Sequence, residues 1–243
     1  DVNLLLQSGD YGSALAAAAA YGGQTETVRF LVQEGKADVN LLLQSGHYGS
    51  ALAAAVREGM TETFRFLVRE GKADVNLLLQ SGNYGSALAA AAASYRRQTE
   101  TVRFLVQEGK ADVNLLLKSG DYGSALVAAA CKGEIESLDC LLMAGADVNQ
   151  QLRVGKYGSA LATAAYWGRK ECVKALIEAG ADLDLRLENG PFSTALQASQ
   201  ADVVQKDRDE AWWDTRDEKT LKRDKAEAAE LLRRGGNERD VVS

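Results

Sequence analysis

The apolar and polar positions of the chain fall into a block that recurs along its length. Leu4, Leu5 and Leu6 form a short apolar run closed by Gln7-Ser8-Gly9-Asp10, which predicts an extended hairpin finger ending in a polar tip. Ser13 to Gly23 is almost pure alanine around Leu15 and predicts a short helix stopped by glycine. Thr25 to Gly35 predicts a second helix, with Thr25 as N-cap, Glu26 in the first turn, and Val28, Leu31 and Val32 as an inward stripe.

The finger–helix–turn–helix block then repeats. Its aromatic anchor falls at Tyr11, Tyr48, Tyr84, Tyr122, Tyr157 and Phe192, with spacings of 37, 36, 38, 35 and 35. A second anchor, Asp-Val-Asn, begins at Asp1, Asp38, Asp74, Asp112 and Asp147, and Asp-Leu-Asp begins at Asp182. Self-similarity at such a period predicts stacked units, each unable to bury its apolar face alone. The alanine runs then have a structural purpose: small side chains let neighbouring backbones approach, and alanine is the best helix former.

On these residues the chain resembles the ankyrin repeat. Leu15, Ala18, Ala19 and Gly22 match the family's first helix and turn. Val28, Leu31 and Val32 match its second helix, and Ala179 to Asp182 match its ending. The resemblance implies an all-α solenoid of helix-turn-helix units with β-hairpin fingers, five full units and a modified sixth. Its segments are 1–200 as repeats and 201–243 as a charged insertion followed by a capping helix. One departure is systematic: Ser13-Ala14-Leu15-Ala16 stands where the family has Thr-Pro-Leu-His, so the helix start lacks the family's proline and histidine bond and is expected to be less firmly locked. Units one to three also carry an extra lysine before the Asp-Val-Asn, at Lys36, Lys72 and Lys110.

Units this alike can be compared with each other. The finger tip varies as Asp10, His47, Asn83, Asp121, Lys156 and Pro191, and the end of the first helix varies through Tyr21, Arg57, Tyr95-Arg96-Arg97, Lys132 and Trp167. In the resembled family these positions line one concave groove. Exposed turns also drift freely, so the variation has two readings. Tyrosine, tryptophan and arginine, the usual binding anchors, favour a protein partner. The repeated tyrosines read first as a stacked ladder bracing the fingers and second as a ligand stripe. His47, the only histidine, reads as one surface variant at a tip.

The sixth unit is interrupted. Relative to the fifth, about 20 residues are inserted around Lys206 to Asp224, dense in both signs of charge. This insertion reads as a terminal cap with a polar outer face, or as a second partner surface built on Trp212 and Trp213.

Composition narrows the rest. A net charge of −6 leaves no broad basic field for nucleic acid or anionic membrane. Cys131, Cys140 and Cys172 lack CxxC spacing and read as reduced thiols, which points to the cytoplasm. No phosphate loop, metal-ligand constellation or nucleophile–base pair is present in the sequence, so no catalytic residue, cofactor or metal is expected. The chain opens at Asp1 in mid-pattern and reads as part of a longer array. Units with Tyr-Gly-x-Ala-Leu and high mutual identity resemble the C-terminal arrays of fungal NOD-like receptors. That resemblance implies a ligand-sensing domain joined to an upstream nucleotide-binding switch. A constitutive scaffold is the alternative. A self-assembling array is a further one, because Leu4, Leu5 and Leu6 would lie open at the first unit and favour end-to-end association.

Overall fold

A computed structural model describes residues 1–22, 24–94, 99–204 and 214–240, the last five as backbone only. Among these residues there are twelve helices in two rows. The inner row is α1 (Ala14–Ala20), α3 (Ala51–Glu58), α5 (Ala87–Ala92), α7 (Ala125–Lys132), α9 (Ala160–Tyr166) and α11 (Ala195–Gln200). The outer row is α2 (Thr25–Gln33), α4 (Thr61–Arg69), α6 (Thr99–Gln107), α8 (Ile135–Met143), α10 (Lys170–Glu178) and α12 (Glu218–Asp240). Each inner helix packs on the next along the row and on the outer helix of its own unit.

The inner helices start on a hydroxyl. Ser13, Ser50, Ser86, Ser124, Ser159 and Thr194 sit in extended conformation, and each accepts a hydrogen bond from the backbone amide three residues on. The serine that replaces the family threonine therefore caps the helix start. The alanines behind it are sealed: Ala53, Ala54, Ala55, Ala89, Ala90, Ala91, Ala128, Ala129 and Ala130 have no exposed surface. Val28, Leu67, Leu105, Leu138, Leu141 and Leu176 fill the layer between the rows, and full burial of each such side chain contributes about 2 kcal/mol.

Thr25 is not the N-cap of α2. Gln24 takes that position without a side-chain cap bond, and Thr25 is the first helical residue. The chain arrives from the turn one residue early, which frees the Thr25 hydroxyl to meet that of Thr63 in the next unit at 2.9 Å.

The fingers are present but are extended loops, with no strand among the described residues. One backbone bond closes each, from Leu6 N to Gly12 O in the first and from Leu43 N to Gly49 O in the second. The glycines at both bends have positive φ and curl the tip, so the two arms cannot run on as a ladder. The remaining bonds run between units. The Asn3 side chain accepts from Asp38 N, Asn40 from Asp74 N, Asn76 from Asp112 N, Asn114 from Asp147 N and Asn149 from Asp182 N, all at 2.7 Å. The Ser45, Ser81 and Ser119 hydroxyls donate to the carbonyls of Leu6, Leu43 and Leu79 one unit back. On the outer face Arg29 meets Glu70 at 3.2 Å, and Arg69 meets Glu108 at 2.6 Å.

The extra lysines occupy a left-handed turn. Lys36, Lys72 and Lys110 have φ of 56°, 60° and 57°, while units four and five pass the same point with Gly145 and Gly180. A side chain there costs about 1 kcal/mol. Lys72→Gly is therefore expected to raise the melting temperature by roughly 2–4 °C. A calorimetric scan showing no rise would mean that the lysine side chain offsets the strain.

At the far end α12 lies along both α10 and α11, taking the outer-row place of the sixth unit. Its own Ala228 and Leu232 are buried in that contact. No helix among the described residues is long and apolar enough to cross a membrane.

Candidate partner-binding groove

The finger tips and the ends of the inner helices are brought together by the stack. The tip backbones are tied in series: His47 N donates to Asp10 O at 3.0 Å, Asn83 N to His47 O at 3.2 Å, and Asp121 N to Asn83 O at 3.0 Å. These bonds use only the main chain. The tip side chains of Asp10, His47, Asn83, Asp121 and Lys156 are left exposed, so their identities can vary without disturbing the frame. His47 Nε2 lies 3.4 Å from Asp10 Oδ1, with both side chains more than 60% exposed; a pair this wet contributes at most about 1 kcal/mol.

Behind the tips runs a wall of aromatic rings. Tyr11 stacks on Tyr48 with centroids 5.9 Å apart, Tyr84 on Tyr122 at 6.4 Å, and Tyr157 on Phe192 at 6.5 Å, all within 20° of parallel. Rings at this offset brace successive fingers, as the first reading of the repeated tyrosines expected. Their phenols are held neutral. A hydrogen bond with Tyr21, then burial, then the charges of Asp10 and Glu58, push Tyr11 up to about 12. Burial does the same to Tyr48 and Tyr122.

The helix-end residues do not all reach the surface. Tyr21 is 57% exposed and leans on Tyr11 at 5.5 Å. Lys132 is half-buried, and desolvation lowers its ammonium to about 7. Arg57 and Trp167, expected as groove contacts, are buried at 7% and 3% exposure. The Arg57 guanidinium bonds the Tyr84 hydroxyl, and Trp167 packs edge-on against Tyr166 while its carbonyl accepts from Arg216. Both are drawn inward because each has a neighbouring ring within reach, which the variation between units could not reveal. Tyr95, Arg96 and Arg97, and the second-surface pair Trp212 and Trp213, lie outside the described residues.

Sequence reasoning assigned no site role to Arg169 or Arg216. Arg216 bridges Asp214 at 2.7 Å and Asp224 at 2.9 Å, and Arg169 meets Asp214 at 3.1 Å. Burial alone would raise the Asp214 carboxyl, but the Arg216 hydrogen bond and both arginine charges hold it below the usual range. Lys225, lowered to about 8 by desolvation, reaches the Tyr166 and Ala198 carbonyls. The cluster ties α12 and the segment before it to the end of α9, and its trace in the sequence was the charge density of the insertion. A cavity of about 530 Å³ between the end of α11 and α12, lined by Asp202, Glu218, Lys222, Lys225 and Arg233 among others, contains none of the tip or helix-end residues.

No group of histidine, cysteine, aspartate and glutamate among the described residues could hold a metal ion. The three cysteines are buried free thiols, with Cys131 raised by burial to about 11 and Cys172 to about 12, which leaves them protonated and unreactive.

The sequence model described as "Ankyrin repeats (3 copies)" matches residues 1–78, 52–152, 88–186 and 126–205. No curated protein matches the chain. Among solved structures, the human ASB11 ankyrin repeat domain aligns with a TM-score of 0.64 and 24% identity, covering 92% of this chain and 84% of that one. At that identity the likeness is one of fold.

Proposed function

Because this chain belongs to the ankyrin-repeat family, whose repeats are protein–protein interaction modules, we propose that it binds a protein partner along the groove formed by its finger tips and inner-helix ends. The observation that carries this reading is the split between frame and tip: main-chain bonds hold the tips in series while every variable tip side chain faces solvent. A rigid row of that kind presents its side chains without reorganisation, which limits the entropic cost of binding. We further propose that the array is the ligand-sensing part of a larger cytoplasmic receptor of the NOD-like type. Near-identical units with divergent tips suit recognition of changing protein ligands, and three reduced thiols suit a reducing compartment. The constitutive scaffold is the competing reading. A coding region upstream of Asp1 that carries a GxxxxGK[ST] loop supports the receptor; one holding only further repeats sinks it.

The groove is tested with a photo-crosslinking residue at Asn83 and, as control, at Arg103 on the outer helix row. Partner proteins captured from Asn83 and not from Arg103 support the groove; equal capture at both overturns it. The combined replacement of Asp10, His47, Asn83 and Asp121 by alanine is expected to shift the melting temperature by no more than a degree or two and to weaken that capture severalfold. A collapse in stability would mean that the tips are structural.

A second reading is favoured by one feature of the first unit. Leu4 is 60% exposed, Leu6 42% and Phe30 62%, apolar surface on the first unit that suits end-to-end association. Light scattering over a tenfold concentration range checks it: a size that rises with concentration supports association, and a constant monomer mass dismisses it.

A further inference from the structure

Three tyrosines are each met by a cation from the chain itself: Tyr84 and Tyr122 of the groove wall, and Tyr166, which is buried against Tyr157. The Arg57 guanidinium lies 5.6 Å from the Tyr84 ring centroid, Lys132 Nζ 5.8 Å from that of Tyr122, and Lys225 Nζ 4.5 Å from that of Tyr166. These contacts come from different helix positions, yet each places positive charge against the electron-rich ring. The fold thus uses one pairing repeatedly along the middle and C-terminal end of the stack.

The N-terminal end is built differently. Tyr11 stacks on Tyr48 at 5.9 Å, and Tyr21 tilts against Tyr11 at 45°, so three rings converge. Among the described residues no lysine or arginine lies over any of them. Among the described residues the carboxylates of Asp10 and Glu58 stand beside them, with the His47 imidazole 3.4 Å from Asp10 and edge-on to Tyr48. Glu58 Oε1 accepts from the Tyr48 hydroxyl at 3.1 Å, and Asp10, 71% exposed, stands at the tip next to Tyr11. Tyr21 presents more than half its surface to solvent. Converging rings flanked by negative charge form a receptor for a cation, and on a chain of net charge −6 the long-range field favours the same sign of ligand.

We propose that Tyr11, Tyr21, Tyr48 and Asp10 form a subsite that receives an arginine or lysine side chain of the bound protein. The subsite rests on the groove reading and gives it a partner chemistry: a segment carrying a basic residue that lodges at the first two units. Tyr21 and Tyr11 supply the ring faces. Asp10 supplies the countercharge, and the hydrogen bond to Glu58 fixes the plane of Tyr48.

The test uses the whole chain with ring-labelled tyrosine, titrated by NMR with N-acetyl-arginine N-methylamide, its lysine counterpart, and the uncharged citrulline compound. Saturable shifts of the Tyr11, Tyr21 and Tyr48 rings with the two cations, and not with citrulline, are expected. Tyr21→Ala should weaken the response at least about fivefold, and Asp10→Asn should weaken it less. Equal response to citrulline, first response at Tyr84 or Tyr122, or no response overturns the subsite. The groove reading fails separately. Capture at Asn83 without a cation response removes only the subsite, and a cation response without capture at Asn83 removes only the groove.

Discussion

Gly123→Ala is expected to cost about 3 kcal/mol and to uncouple the fifth unit from the fourth. Gly123 has φ of 80°, where any side chain is strained by about 1–2 kcal/mol. The added methyl would also overlap the Val154 carbonyl oxygen and lie 2.9 Å from Leu152 Cδ1, both in the next finger. Neither can yield easily, because Leu152 is buried and its amide is bonded to Gly158 O. Overpacking of this kind costs about 1–3 kcal/mol more. Gly145→Ala is the control. Its φ of 88° carries the same strain, but nothing lies within 4 Å of an added methyl, so about 1 kcal/mol is expected. Stability in a stack is a sum of units and interfaces, so the Gly123 variant should unfold in two steps where the parent unfolds in one. Denaturant curves read by hydrogen exchange on α7 and α9 distinguish the outcomes. A single transition with a loss below 1 kcal/mol would show that the finger can shift as a body.

Arg216→Ala is expected to cost about 3–5 kcal/mol and to free α12. The side chain holds Asp214 and Asp224, which are 7% and 12% exposed, and donates to the carbonyls of Trp167 and Gly168. Its loss leaves Asp214 with Arg169 as its remaining cation and Asp224 with only the exposed Arg223. Arg223→Ala, which removes a 65% exposed partner of Asp224, should cost less than 1 kcal/mol. The cluster also sets a pH dependence. The Asp214 carboxyl is depressed in the folded chain, so its contribution is fully present above the unfolded value of about 3.9 and is lost as pH falls through the folded one. The parent chain should therefore release α12 only below about pH 4, and the Arg216 variant already at neutral pH. Protease cleavage between α11 and α12, followed from pH 7 to pH 3, reads both. Equal protection of the two chains at pH 7 would mean that Ala228 and Leu232 hold the helix without the cluster.

The sequence by itself determined the architecture. A fixed period, a leucine-rich finger, an alanine helix and an amphipathic helix can be satisfied together only by stacking, because no single unit buries its own apolar face. The tyrosine ladder was legible for the same reason: an aromatic at one place in every unit must lie beside its copies. Position within the unit was thus readable, because translation along the stack carries each residue onto its equivalent. The finer local chemistry was not. That Ser13 caps its helix depended on a backbone angle at the helix start, and Thr25 lost its cap to Gln24 by one residue of turn geometry.

Only the tertiary structure decided which variable residues face solvent. Arg57 and Trp167 vary between units just as Asp10 and His47 do, yet rings in reach draw the first two inward while main-chain bonds hold the other two out in solvent. The C-terminal cluster joins Arg169 to residues 45 or more positions later, Asp214 and Arg216, across an interruption of the repeat. Translation along the stack predicts nothing there. Charge pairs of this kind are fixed by distance and burial, which a one-dimensional pattern does not contain.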